Sequence, residues 1–222
     1  MTSDLSQEAR SFAQQIQNTL NKTICQHVRM IAVQRPAQGR PVFTIGAGLS
    51  RTNPTQPKGF PLGITNKKAR SWMSLSYQVR MDDEDRYLAV HSSFCGIFAD
   101  EDLGACLCHF DFEREKEHYT GAHLQIHGTS PALEKLNRDG DIGRPLDKLH
   151  FPVGGKRFRP CIEDIIEFLV AERLADGREG WQQVVEEGRD RFQRKQLRAA
   201  MRRNTDLVDQ WTRDQERGTR DE

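Results

Sequence analysis

Four of the seven histidines in this 222-residue chain fall within one short interval: His109, His118, His123 and His127. Two segments carry three of them, Cys-Leu-Cys-His-Phe-Asp-Phe-Glu at 106–113 and Ala-His-Leu-Gln-Ile-His-Gly at 122–128. In an extended strand alternate side chains share a face. His109 and Asp111 then lie together on the first strand, and His123, Gln125 and His127 on the second. Phe110 and Phe112 would pack with Leu124 and Ile126 on the other side, with Cys106 and Cys108 beside the phenylalanines as small buried hydrophobes. If the two segments pair, imidazoles, a carboxylate and an amide line up across the sheet, with opposed Cβ atoms about 5 Å apart.

Histidine titrates near neutrality, and a neighbouring carboxylate fixes its tautomer and raises its basicity. Two imidazoles with a cation nearby suit cleavage of an RNA phosphodiester, one deprotonating the 2′-hydroxyl and the other protonating the leaving oxygen. His123 and His127 are the acid and base candidates, oriented by His109 and Asp111. Arg144, Lys156, Arg157 and Arg159 are the candidate phosphate-binding cations; the basic turn Gly154-Gly155-Lys156-Arg157 precedes a helix, where a phosphate can be held. One metal ion cannot join His123 to His127, because four strand residues span about 13 Å. The zinc-protease pair at this spacing needs a helix and an intervening glutamate. A metal would need ligands from both strands, for example His109 or Asp111 with His123, so the reading assigns no metal and no cofactor. The competing reading leaves the histidines on a polar sheet face, satisfying local hydrogen bonds. The five cysteines include no C-x-x-C pair. Asn137–Asp141 lacks the remaining ligands of a calcium loop, and Gly46-Ala-Gly48 is an incomplete dinucleotide fingerprint.

The elements that must position these residues follow from periodicity. Leu5, Ala9, Phe12, Ile16, Leu20 and Ile24 recur at helical spacing after the N-cap candidates Thr2 and Ser3, predicting an amphipathic helix over 4–25. Val28, Ile31 and Val33 either extend it or begin a strand. The proline-bearing stretch 35–66 reads as loop, with Val42–Ile45 as a short strand. Four strands follow, over 72–81, 86–98, 106–113 and 122–128, with Asp82–Asp85 and Ala99–Gly104 as turns. Pro160 leads a helix over 161–175, with Glu163 and Asp164 in its first turn. A break at Asp176-Gly177 precedes one long polar helix from Trp181 to about Trp211. The fold class is therefore α+β: an antiparallel β-meander covered by helices, with an N-terminal amphipathic helix and a long C-terminal helix. Residues 1–175 form the core and 176–222 a helical extension.

The formal net charge of +1 conceals segregation. From Ala9 to Met81 there is no Asp or Glu, while Asp82–Asp85 and the stretch to Glu117 are acidic, and Arg189–Arg203 is basic again. A positive field of this length attracts a polyanion such as RNA or DNA. The same pattern also arises if basic and acidic parts face each other within one chain or across a dimer. No run of eighteen apolar residues exists, and the N-terminus lacks the pattern of a secretory signal, so a cytoplasmic protein without a membrane span is expected.

The order of a strand with His-Phe-Asp-Phe, an acidic loop, Ala-His-Leu-Gln-Ile-His-Gly, Phe151-Pro152 and then Ile-Glu-Asp-Ile-Ile-Glu-Phe-Leu resembles small bacterial proteins of toxin–antitoxin and anti-phage defence loci. The likeness covers roughly residues 72–175 and carries Asp111, His123 and His127 across; the chain departs from it at Gln125, where a histidine is expected. It implies a nucleic-acid-linked toxin or defence role. Two functions are thus expected: a metal-independent endoribonuclease-like protein acting on or binding nucleic acid, or a non-catalytic module that dimerises or docks a partner through its C-terminal helix.

Overall fold

The computed structural model describes residues 4–35, 39–65, 68–117, 120–133, 146–154 and 159–218. Thr2, Ser3, His118, Asn137–Asp141, Arg144, Lys156 and Arg157 lie outside them.

The amphipathic pattern yields helix α1, Leu5–Thr23, whose buried stripe includes Ala9, Ala13, Ile16 and Leu20. Its N-cap is Asp4, whose carboxylate accepts the Ser6 N–H at 2.9 Å. The helix stops before His27, which takes a left-handed φ of 61°. The Asn21 side chain pairs with both backbone polar groups of Val28, at 2.8 and 2.9 Å, and Gln17 accepts the Met30 N–H. These contacts aim the chain into a strand: the ambiguous Val28–Val33 stretch contributes β1, Met30–Arg35.

The remaining strands are β2 (Val42–Ala47), β3 (Phe60–Leu62), β4 (Ser71–Met81), β5 (Leu88–Phe98), β6 (Cys106–Glu113), β7 (Ala122–Ile126) and β8 (Phe151–Pro152). Among the described residues they form one eight-stranded sheet in the order β1-β2-β4-β5-β6-β7-β8, with β3 paired to β4; every pairing is antiparallel. The stretch read as mostly loop thus supplies β2 and β3, which pair with β4. Two aspartates make the hairpins. Asp82 accepts the Arg86 and Tyr87 N–H groups at 2.7 and 3.3 Å, and Asp100 accepts those of Gly104 and Ala105 at 2.8 and 2.6 Å. Gly46 and Gly48 serve packing: a Cβ on Gly46 would meet Pro57 at 2.7 Å, and Gly48 has a φ of 66°.

One sheet face is covered by helices. Helix α2, Ile162–Ala171, starts from Cys161, whose N–H is accepted by Asp164 at 2.8 Å. It buries Ile162, Ile165, Ile166 and Leu169 against Ile16, Leu20, Met73, Leu75, Val79 and Ile97. Helix α3, Trp181–Arg203, adds Val185 to this core and crosses α2 closely at Gly188, where any Cβ would run into the Glu163 carboxylate. The single long helix expected to Trp211 is two: α3 ends at Asn204, and α4 spans Thr205–Gly218. Asn204 caps α3 by donating to Ala200 O and begins α4 by accepting the Val208 N–H, so a capping residue interrupts the polar periodicity. Arg178, before α3, donates its backbone N–H to Thr23 O and its guanidinium to Cys25 O, closing the last helices onto the end of α1. Among the described residues no helix is long and apolar enough to cross a membrane.

Candidate functional site

The outer sheet face carries the histidines. The β6–β7 register sets Asp111 opposite His123 and His109 opposite Gln125, while β5 sets Phe94 opposite Asp111 and Gly96 opposite His109. The intervening residues Cys108, Phe110 and Leu124 turn the other way, onto the helix-covered core. Pleat parity therefore brings the odd-numbered polar residues of both strands together, as the alternation requires.

One network has a fixed polarity. The amide nitrogen of Gln125 donates to the Asp147 carbonyl at 2.9 Å, so its oxygen must face His109 Nε2, 2.7 Å away. That ring nitrogen is therefore the donor, and a neutral His109 keeps a lone pair on Nδ1. His127 Nε2 lies 3.1 Å from His109 Nδ1. The His109 ring sits between His127 and Phe94, with ring centroids 5.2 and 5.4 Å away. Gly96 has no room for a side chain, because a Cβ would press on the Phe98 and Phe94 rings at 2.6 and 2.9 Å.

Asp111 stands at the junction. Its Oδ2 lies 3.6 Å from Nε2 of His109 and 3.6 Å from Nε2 of His123. These are electrostatic contacts, longer than direct hydrogen bonds. Burial raises the Asp111 carboxyl above its usual range, and the two imidazoles oppose that rise. His123 is only 4% exposed, its Nδ1 is buried without a hydrogen-bond partner among the described residues, and its ring meets His150 edge-on at 4.5 Å. A buried polar nitrogen left unpaired costs about 1–3 kcal/mol, which makes the position a candidate for function.

The structure brings together His109, Asp111, His123 and His127, with His127 touching His109. It sets Arg159 elsewhere: its guanidinium stacks 4.0 Å over Phe112, on the opposite face of β6 from Asp111, where burial lowers its pKa to about 10. Two members of the site were not anticipated. His150 enters because β8 pairs with β7 next to His123, at His123↔Pro152 and Leu124↔Phe151. Its only sequence signal is a histidine directly before the Phe-Pro pair. Cys106 enters through an irregularity in the β5–β6 ladder, where Ile97 pairs with Cys108 but Phe98 pairs with Cys106. The extra residue, Leu107, is exposed. Cys106 is thereby turned off the face of Cys108, where simple alternation would hold it, and joins the histidines. Ligand atoms of Cys106, His109 and His127 all lie within 4.8 Å of one another.

The acid-free N-terminal stretch is only partly neutralised. Arg40 bonds the Asp82 and Asp83 carbonyls and faces the Asp83 and Asp85 carboxylates at 4.0 and 3.7 Å; Arg70 pairs with Asp176 at 3.1 Å, and Arg80 with Glu115. Arg10, Arg29, Arg35 and Arg51 have no ion-pair partner among the described residues and line shallow grooves along α1 and the free edge of β1. That edge is five strand spacings, roughly 24 Å, from β7. Among known proteins, no family, curated protein or solved structure matches this chain.

Proposed function

We propose that the chain acts on nucleic acid, cleaving RNA by acid–base chemistry with His123 as the proton-transfer residue and Asp111 as the carboxylate that orients it. The carrying observation is the single Asp111 oxygen held 3.6 Å from the Nε2 atoms of two histidines, one of them almost wholly buried. In this reading the proton of a ribose 2′-hydroxyl passes through Asp111, the more exposed partner, to His123 as that oxygen bonds to phosphorus. The bond from phosphorus to the 5′-oxygen breaks, and the departing oxygen takes up a proton on the side of the His109–His127 pair. The unpaired arginines along α1 and β1 support a polyanionic substrate, which an extended strand could reach across the sheet.

The test is cleavage of a labelled RNA by the purified chain, with an all-2′-deoxy oligonucleotide as control. His123→Ala is expected to slow cleavage by about 10²–10⁴-fold. Intact RNA, or cleavage that survives His123→Ala in a folded variant, overturns the proposal.

A second reading is favoured by one feature. Leu197, Met201, Leu207 and Trp211 on α3 and α4 are 52–64% exposed, an apolar row without a cover among the described residues. It suits self-association, with the acidic α4 (Asp206, Asp209, Asp214) against the basic end of α3 (Arg198, Arg202, Arg203) of a second copy. Truncation after Arg203 is expected to convert a dimer to a monomer in light scattering; a full chain that is monomeric at high concentration removes this reading.

A further inference from the structure

We propose that Cys106, His109 and His127 form a binding site for one borderline-soft divalent cation of the zinc class, with a fourth position open to water or substrate. The inference departs from the metal-free expectation and stands whether or not the chain cleaves RNA.

Its first support is the geometry of the donors. His109 Nδ1 and His127 Nε2 point at each other across 3.1 Å. Two nitrogens bonded to one tetrahedral ion at about 2.0–2.1 Å stand roughly 3.3 Å apart, so the present gap is close to a ligand–ligand edge. Cys106 Sγ and one ring nitrogen from each of the two histidines lie within 4.8 Å of one another. A sulfur–nitrogen edge on the same ion is roughly 3.6 Å, which a modest rotation of the half-buried Cys106 side chain supplies.

The second support is the outer shell. A ligating histidine characteristically donates its other ring N–H to a fixed acceptor, which sets the tautomer and aims the lone pair. His109 already has this arrangement: Nε2–H to Gln125 Oε1 at 2.7 Å, with Gln125 held by the Asp147 carbonyl at 2.9 Å. The lone pair on Nδ1 is thus committed toward the gap in the absence of any ion. His127 needs only the tautomer with its proton on Nδ1 to offer Nε2 as well.

The third support is the backbone irregularity at Ile97/Phe98. Regular alternation would hold Cys106 on the Cys108 face; the extra residue in β6 is what delivers a thiol to the imidazole pair. One sulfur and two imidazole nitrogens select zinc, cobalt or a similar ion over magnesium and calcium, which take oxygen ligands. On binding, the sulfur–hydrogen bond breaks, the proton passes to solvent, and a metal–thiolate bond forms. Three protein ligands leave a position for water, the pattern of sites that act on a ligand rather than only brace the fold. Asp111 approaches the outer nitrogen of the same ligand ring, 3.6 Å from His109 Nε2, so a carboxylate adjoins the site on its protein side.

The experiment is titration of the full-length, chelator-stripped chain with Co²⁺. Expected are visible bands of tetrahedral cobalt and a near-ultraviolet thiolate-to-cobalt band, saturating at one equivalent and removed by Zn²⁺. Cys106→Ser should abolish the thiolate band, His127→Ala should weaken binding at least tenfold, and Gln125→Leu should weaken it by about 10–100-fold. His123→Ala should leave the spectrum unchanged, which separates loss of the metal site from loss of the proposed nuclease. No cobalt spectrum in the folded chain, or a thiolate band that persists in Cys106→Ser, overturns the proposal. As an independent measurement, Zn²⁺ should slow alkylation of Cys106, and an alkylation rate indifferent to zinc overturns it equally.

Discussion

At the scale of single residues the site is a contrast between one almost fully buried imidazole, His123, and partners that are only partly buried. If the proposed acid–base reading holds, with Asp111 set 3.6 Å from His123, Asp111→Asn should reduce RNA cleavage by at least about tenfold with little change in melting temperature. The thiols make a second residue-scale prediction. Burial pushes Cys25 up to about 12 and Cys108 up to about 11, and Cys95 and Cys161 further still. The thiolate is the reactive form, so these four should resist iodoacetamide in the native chain and Cys106 should label first, by mass spectrometry of the digested protein. The same shifts carry a pH dependence. In the unfolded chain these thiols ionise near their ordinary value of 9.0, whereas in the fold they keep their protons to higher pH. Their contribution is therefore complete below about pH 9 and is lost as pH climbs toward the folded values, so the melting temperature should fall across that alkaline range.

At the scale of elements the outcome depended on how strictly side chains alternate. Strands β4 to β7 and the outward face of His109, Asp111, His123 and His127 were legible because period two is unambiguous when polar and apolar residues trade places residue by residue. Alternation cannot announce its own interruption, and the displacement of Cys106 follows only from the ladder that sets Phe98 opposite it. His150 was hidden differently: its position depends on β8 pairing with β7, a contact that no local pattern encodes. Likewise β1 and β3 are short and flanked by turn residues, and only β2 and β4 make strands of them. The aspartate turns were legible in kind, and Asp82 can be tested: its carboxylate is the acceptor for two backbone donors. Asp82→Ala should cost about 1–3 kcal/mol in denaturant unfolding. Gly188→Ala, which forces a methyl group into Glu163 where α2 and α3 cross, should cost about 1–3 kcal/mol while leaving the outer face intact.

At the scale of the whole molecule the sheet separates two kinds of surface. Toward β7 it carries the histidine–aspartate cluster proposed to transfer protons, and its β1 edge carries arginines without carboxylate partners among the described residues. If an oligonucleotide bridges them, Arg29→Gln combined with Arg35→Gln should weaken binding in fluorescence anisotropy. It should also lower the slope of log affinity against log salt by about 1.4, the share of two phosphate contacts on a single strand. A slope unchanged by both substitutions would move the substrate path elsewhere. The Arg178 clamp has a further consequence for how such a chain is made. The helices over the core come from opposite ends of the sequence, and the hydrogen bonds that lock them join Thr23 and Cys25 to residue 178. While the ribosome is still synthesising the second half, the inner face of the strands has only α1 to shield it. Nascent chains stalled before Arg178 should therefore stay protease-sensitive and chaperone-bound, acquiring resistance in one late step once that arginine clears the exit tunnel.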